Sequence, residues 1–474
     1  MKKLFLILSL TLIVGIIFGQ PDTIAYKKIA DKFEAYYNSE KYDSIFTMFS
    51  PEMANFLPLY KTKAFLTDLN YQAGKITKRQ FVNYQSTYAS YKTNFERALL
   101  TLNISIDNNS KINGLFIKHF IDDSLPKLER NMTNPLGQVK VKTDTLNFVF
   151  EGKKLSGFID IPVSRDPSAL IIIVPGHAKT NFGDNNWYYD SLFSNFTNLG
   201  ISCFRYDKAG CGKSEGEYNH DQTVQNSANE IIAAIAELKR RNIKGSDTIG
   251  LWGISRGGYI CPLVIQKDSS IAFWISVSGT DGLNSFPYKL QSDLTFAGLP
   301  ASKAKLFVAE YLAQKALVEN GGTYEEYVNL KSKQEFRKND FFMDYMNIDR
   351  EYPKNLYDEY QKNLKVTYKR DKETNINIIV SDFDSILTEI NCPVLAIFGE
   401  KDYVVDWRKT LALYKETIGK NNNKKLTIKT FPDGNHSIRK CRTGASNELI
   451  LNEEYCDGYI ETLTTWLKEN NFGK

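Results

Sequence analysis

From about residue 138 to the C-terminus, short apolar runs alternate with stretches of helical spacing. LIIIV (170–174), ISCFRY (201–206), TIGLWG (248–253), IAFWISV (271–277), VLAIF (394–398) and KLTIKTF (425–431) have the length and composition of strands buried on both faces. Segments such as SANEIIAAIAELKRR lie between them, which predicts βαβ units and an α/β class with a largely parallel sheet. Ahead of them, VKVKTDTLNFVFEGKKLSGFIDIPV alternates with period two around Glu151-Gly152, the pattern of antiparallel edge strands. Residues 279–391 separate two core strands by far more than an ordinary connection. Within them ASKAKLFVAEYLAQKALVEN stops at Gly321-Gly322, and Thr323 with Glu326 forms a capping-box pattern for a further helix. An inserted helical lid is expected over 279–391.

The N-terminal part has a different rhythm. IAYKKIADKFEAYYNSEKYDSIFTMF repeats Ile29, Phe33, Tyr36 and Tyr37 at helical spacing, while RALLTLNISID and KINGLFIKHF read as strands around a DNNS turn. A small α+β domain over 22–128 follows, with LERNMTNPLGQ as the linker to a second domain at 138–474.

Composition narrows the functional classes. The 474 residues are 42% hydrophobic and 24% charged, a balance that builds large cores. Lys+Arg 60 against Asp+Glu 55 leaves +5, spread among both signs, without the clustered basic face that a nucleic-acid partner requires. Residues 1–19, MKKLFLILSLTLIVGIIFG, have the plan of a secretory signal peptide: two lysines, an apolar run and a small residue at the end. The alternative is an uncleaved anchor. The mature chain is expected to begin at Gln20 with a charge of +3, free of a membrane span, in the periplasm or outside the cell. Six cysteines are too few for a disulfide scaffold, although a bridge between Cys441 and Cys456 would pin the polar segment they flank. No C-x-x-C pair supports a structural zinc site.

The chemistry sits in DTIGLWGISRGGYICPLVI. Gly253-Ile254-Ser255-Arg256-Gly257 follows an apolar strand and opens a helix, so a strained turn would expose the serine hydroxyl. Gly212-Lys213-Ser214-Glu215-Gly216 matches the same G-x-S-x-G pattern, but polar EYNHDQ follows it and no helix starts there. The GKS within it falls short of a phosphate-binding loop, whose first glycine would be Asp207. A serine nucleophile needs a base, and the chain has four histidines: His119, His177, His220 and His436. His436, in the loop FPDGNHSI after the last expected strand, is positioned to reach over the sheet. A carboxylate must fix its tautomer, and VLAIFGEKDYVVD offers Asp402, with Glu400 and Asp406 as alternatives. Two N–H donors must meet the oxyanion. The backbone of Arg256 supplies one; the loop after LIIIVPGHAKTN supplies the other, from His177 or its neighbour Ala178.

The order LIIIVPGH, CFRYDKAGCGKSEG, GLWGISRGG, IFGEKDYVVD, PDGNH resembles the α/β-hydrolase superfamily, in particular its exported esterase and serine-aminopeptidase-like branch, over about 138–474. The resemblance implies an α/β-hydrolase sheet with a lid, a Ser255–His436–Asp402 triad, and structural roles for Asp207, Gly210 and Gly212. It also departs from the family, with His177-Ala178-Lys179 standing where many relatives carry a Gly/Ser-rich loop. The N-terminal part looks like the small domain of unknown function that precedes such hydrolases and is similar to the nuclear-transport-factor-like fold. The implied activity is cleavage of small-molecule acyl esters through an acyl-enzyme, with neither metal nor organic cofactor. Aminopeptidase or acyltransferase/thioesterase action would use the same triad, and an inert hydrolase fold used for binding is the reading from another class.

Overall fold

The computed structural model describes residues 23–85, 87–119, 139–183, 189–219, 222–280, 286–296, 298–346, 353–367, 382–420, 425–445 and 454–474. The expected leader (1–19), the linker segment 129–138 and His220 lie outside the described residues. The chain forms two compact units, Met1–Ser124 and Leu125–Lys474.

The first unit is α+β. Its antiparallel sheet runs in sequence order: β1 (Ile76–Gln85), β2 (Tyr88–Phe95), β3 (Leu99–Ile106) and β4 (Ile112–His119). Leu100, Leu102 and Ile104 of β3 and Ala89, Tyr91 and Phe95 of β2 fall on one face by the strand alternation and are buried. The helix Thr23–Asn38 is buried through Tyr26, Ile29, Ala30, Phe33 and Tyr37, which the 3.6-residue period places on one stripe. Tyr37 donates its buried hydroxyl to the Gly74 carbonyl at 2.9 Å. The helical pattern of the sequence breaks after Asn38, where Glu40 adopts a positive φ of 56° before the short helix Tyr42–Phe46. β1 and β2 lack a clean strand pattern in the sequence, ITKRQFVNYQ interrupting its apolar positions with charge.

The second unit is built on an eight-stranded mixed sheet. The chain-order strands are β5 (Val141–Thr145), β6 (Phe148–Phe150), β7 (Lys153–Leu155), β8 (Gly157–Pro162), β9 (Ala169–Val174), β10 (Ile201–Tyr206), β11 (Ile249–Ile254), β12 (Phe273–Val277), β13 (Val394–Gly399) and β14 (Leu426–Phe431). Their order in the sheet is β14-β13-β12-β11-β9-β10-β8-β5, with β6 and β7 a separate hairpin. That hairpin turns at Glu151-Gly152, both with positive φ (48° and 73°), the backbone a tight two-residue turn demands. β14 through β10 are parallel, while β8 and β5 are antiparallel at one edge. β9 shows why its run is continuously apolar: Leu170, Ile172 and Val174 enter the core on one face, Ala169, Ile171 and Ile173 the core on the other. Burying one such side chain contributes roughly 1.5–3 kcal/mol.

β10 and β11 leave β9 on opposite sides. This reversal opens a crevice beyond the carboxyl ends of β9 and β11, the place where ligands enter open α/β sheets. Between β12 and β13 the chain makes the expected helical insertion, including Phe286–Phe296, Ala301–Glu319, Tyr324–Lys333 and Lys354–Thr367. The Thr323–Glu326 capping box is formed in both directions. Leu290, Leu294, Phe307, Phe336 and Phe342 give the insertion its own core. Its last helix, Phe383–Thr388, instead buries Phe383, Ile386 and Leu387 in the main sheet core. No helix among the described residues is long and apolar enough to cross a membrane.

Candidate active site

Ser255 follows β11 directly and precedes the helix Gly257–Lys267. Its φ is 55°, a left-handed conformation that L-residues hold only where the surroundings impose it. The neighbours are small because the junction is crowded. A Cβ on Gly253 would stand 2.6 Å from Cys261 Sγ, one on Gly257 3.4 Å from the Val174 carbonyl, and one on Gly258 2.7 Å from Gly279 Cα. The Ser255 N–H donates to the Val277 carbonyl of the adjacent strand at 3.0 Å, which fixes the turn to the sheet. Arg256, at the N-cap of that helix, offers its backbone N–H where a helix has no intrahelical acceptor.

The candidate acid and base come from the ends of β13 and β14. Asp402 is fully buried, and its Oδ1 accepts from the backbone N–H groups of Val404 at 2.8 Å and Val405 at 3.0 Å. Its Oδ2 lies 2.8 Å from Nδ1 of His436, whose side chain is 20% exposed. Of the alternatives, Glu400 accepts from Thr430 Oγ1 at 2.7 Å, and Asp406 stands at the N-cap of the helix Trp407–Glu416 without capping it through its side chain, its Oδ2 3.9 Å from Lys409 Nζ. A Ser255–His436 hydrogen bond is not among those formed by the described residues.

Ser214, the other match to the motif, has its hydroxyl engaged by backbone: it donates to the Asp207 carbonyl at 2.5 Å and accepts from the Ser156 N–H at 2.8 Å. Gly212, with φ 51°, lies so close to Asp207 that a Cβ would meet its Oδ2 at 2.0 Å. The Oδ1 of Asp207 accepts from the Phe182 N–H at 2.7 Å, so this carboxylate ties the loop after β9 to the loop after β10. Gly176 brings the former against the elbow, since its Cβ would stand 3.7 Å from Ser255 Cβ. His177, in the loop after β9, is partly exposed and accepts at its carbonyl from Tyr218 Oη at 2.8 Å. Cys441, partly exposed, and Cys456, buried, are not joined, so the Cys441–Cys456 bridge is not made.

A family model described as the alpha/beta hydrolase fold matches residues 169–438. The chain belongs to this family. A second model, for a protein of unknown function (DUF3887), matches residues 30–115 of the hydrolase's N-terminal unit. Among curated proteins the hydrolase is 28% identical over 160 residues to polyketide transferase grgF of Penicillium sp, covering 33% of this chain and 51% of that protein. It thus spans about half the length of the curated relative it matches. Similar solved structures include the Pyrococcus furiosus esterase Pf2001 (12% identity, TM-score 0.40, 70% of this chain and 90% of that one). The Mycobacterium smegmatis proline iminopeptidase matches at 15% identity and TM-score 0.41, over 69% of this chain and 99% of that one.

Three features of the hydrolase's site escaped the sequence reading. Gly399 ends β13, and a Cβ there would stand 2.3 Å from the Asn435 carbonyl, so only glycine lets the acid and base strands close up. Asn435, buried beside His436, accepts through Oδ1 from the N–H groups of Ser437 at 2.9 Å and Arg439 at 3.1 Å, folding the histidine loop on itself. The legible signal was an Asn next to the candidate base, a residue type that builds such turns. Lys208 is also buried, and its Nζ donates to the carbonyls of Gly176 at 2.5 Å, His177 at 3.2 Å and Ala178 at 2.8 Å. A lysine in a Gly-rich loop reads as solvated, and only the fold reveals where it points.

The insertion touches the acid loop. Tyr288 donates its hydroxyl to the Asp402 carbonyl at 3.1 Å, stacks on Tyr403 with centroids 6.4 Å apart, and Phe296 meets Tyr403 edge-on at 4.8 Å. Burial, with the carboxylates of Asp406 and Asp402 nearby, raises the Tyr288 hydroxyl above its ordinary range, so it remains a donor.

Proposed function

We propose that this alpha/beta hydrolase is an exported serine hydrolase that cleaves carboxylic esters of small molecules through an acyl-enzyme. The observation that carries the reading is the pairing of buried Asp402 with His436 at the carboxyl ends of β13 and β14, on the same sheet edge as the strained Ser255 elbow. Ser255 Oγ attacks the acyl carbonyl, and Nε2 of His436 takes its proton. With Nδ1 committed to the carboxylate, the imidazole presents Nε2 outward, and the Asp402 charge stabilises the imidazolium that forms. The alkoxide leaves with the proton returned by His436. Water then attacks the acyl-enzyme, with His436 as base, and releases the acid and Ser255. The Arg256 N–H and a donor from the loop at His177 carry the oxyanion.

An ester fits the surroundings better than a peptide. The insertion presents Tyr288 and Phe296 to Tyr403 beside the acid, an aromatic wall suited to an apolar acyl or alcohol group, and esters need less help to expel their leaving group than amides do. Export rests on the leader-like residues 1–19. The likeness to a transferase favours one second reading, in which an acceptor other than water takes the acyl group. A panel of nitrophenyl acyl esters and aminoacyl nitroanilides tests the proposal, with kcat/KM expected to be larger for the esters. Faster anilide cleavage would overturn the ester assignment, and added alcohol acceptors that divert product from acid to ester would favour the transferase.

A further inference from the structure

Lys208 opens the loop after β10, yet its side chain runs back beneath the loop after β9 and is 5% exposed. An ammonium has three N–H donors, and this one has three acceptors, the carbonyls of Gly176, His177 and Ala178. In a trans peptide the N–H of the next residue points opposite to the carbonyl, and there is no cis peptide bond among the described residues. The N–H groups of His177, Ala178 and Lys179 therefore face away from the ammonium. A Cβ added to Gly176 would stand 3.7 Å from Ser255 Cβ, so Gly176 lies on the Ser255 side of this loop.

We propose that Lys208 is a positioning residue for the oxyanion hole: by gathering the three carbonyls it turns the His177 N–H toward the acyl oxygen bound at Ser255. The inference rests on the serine-hydrolase reading above and deepens it. Two further contacts support the loop in this pose. Tyr218 Oη donates to the His177 carbonyl at 2.8 Å, and the Lys208 N–H donates to Thr180 Oγ1 at 2.8 Å. The groups facing the ammonium are Arg256 beside the elbow, Glu230 on the helix Val224–Arg240, and Cys211 and Tyr218 on the loop after β10. Burial, with the Arg256 charge adding to it and Glu230 and Cys211 opposing, lowers Lys208 to about 8. A neutral amine keeps two donors, so one carbonyl is released when the proton leaves and the loop loses its fixed orientation.

The experiment uses the mature full-length chain with nitrophenyl butyrate as substrate. Wild-type kcat is expected to fall on an alkaline limb near pH 8. K208M, which keeps the stem and removes all three donors, should lower kcat at pH 7 by roughly 10- to 100-fold, less than the roughly 10²–10³ lost when an oxyanion donor is removed outright, with KM within about threefold. Its profile should lack the limb. K208R keeps a charge at high pH and should retain part of kcat while its limb moves above pH 10; Y218F, which removes one support, should cost kcat about two- to fivefold with the limb in place. Wild-type kcat and limb retained in a folded K208M would overturn the proposal, as would a wild-type profile with no limb between pH 7.5 and 10 should K208M fail to fold. Turnover that survives S255A would instead overturn the serine-hydrolase reading, leaving the two failures distinguishable.

Discussion

Oδ2 of Asp402 lies 2.8 Å from Nδ1 of His436, and the same carboxylate is anchored through Oδ1 by the N–H groups of Val404 and Val405. Both oxygens are acceptors, and the group is fully buried, so its orientation is set before any substrate arrives. D402N must either turn an amide NH2 toward the two backbone donors or present it to His436 and impose the wrong tautomer. The expected loss in kcat is on the order of 10³–10⁴ with the fold retained, read by steady-state kinetics beside circular dichroism. A loss under tenfold would remove Asp402 from the triad.

Gly399 and Asn435 offer a second test of the same pair. A methyl at 399 would enter the Asn435 carbonyl at 2.3 Å, and the obstacle is backbone on both sides. G399A should cost about 1–3 kcal/mol in urea unfolding, the usual penalty for overpacking, and reduce kcat more steeply than that loss of folded protein explains, because the His436 loop must move. Equal losses in folded fraction and activity would mean that the spacing matters only for stability.

Most of the architecture was legible because β9 through β13 are buried on both faces, and such strands write continuous apolar runs; β14, expected to be buried likewise, is an edge strand that exposes Thr427 and Lys429 on one face. β1 and β2 were not legible, since Lys78, Arg79 and Lys92 interrupt them, and Arg79 is satisfied only in three dimensions, by Asp31 and Glu34. Ser255 could be told from Ser214 by the helix that follows it. Glu400, Asp402 and Asp406 share one short loop, and what separates them is the direction of each side chain, which spacing does not encode. Lys208 was hidden for the same reason.

On the proposed ester reading, the insertion acts on selectivity through Tyr288 and Phe296, which contact Tyr403 of the Asp402 loop. F296A should lower kcat/KM for longer acyl esters by about three- to tenfold while leaving acetate esters nearly unchanged, measured across nitrophenyl acetate, butyrate and octanoate. A uniform loss over the three would place Phe296 in support of the acid loop and not in the acyl pocket.

Lys208 also couples stability to pH, with a sign opposite to its effect on activity. Its pKa is about 8 in the fold against the ordinary 10.5, so between these values the unfolded chain holds a proton that the folded chain has lost. Stability from this group therefore rises with pH across that window. The urea unfolding free energy of wild type minus that of K208M should increase from pH 7.5 to 10. A decrease would mean that the fold holds the Lys208 proton more tightly than water does.

Ser255 is the proposed nucleophile, and covalent labelling reads this directly. A fluorophosphonate probe, followed by digestion and mass spectrometry, should place one adduct on Ser255 in the wild type and in S214A, and none in S255A, with D402N labelled far more slowly. Labelling of Ser214, or an adduct that persists at full rate in S255A, would contradict it.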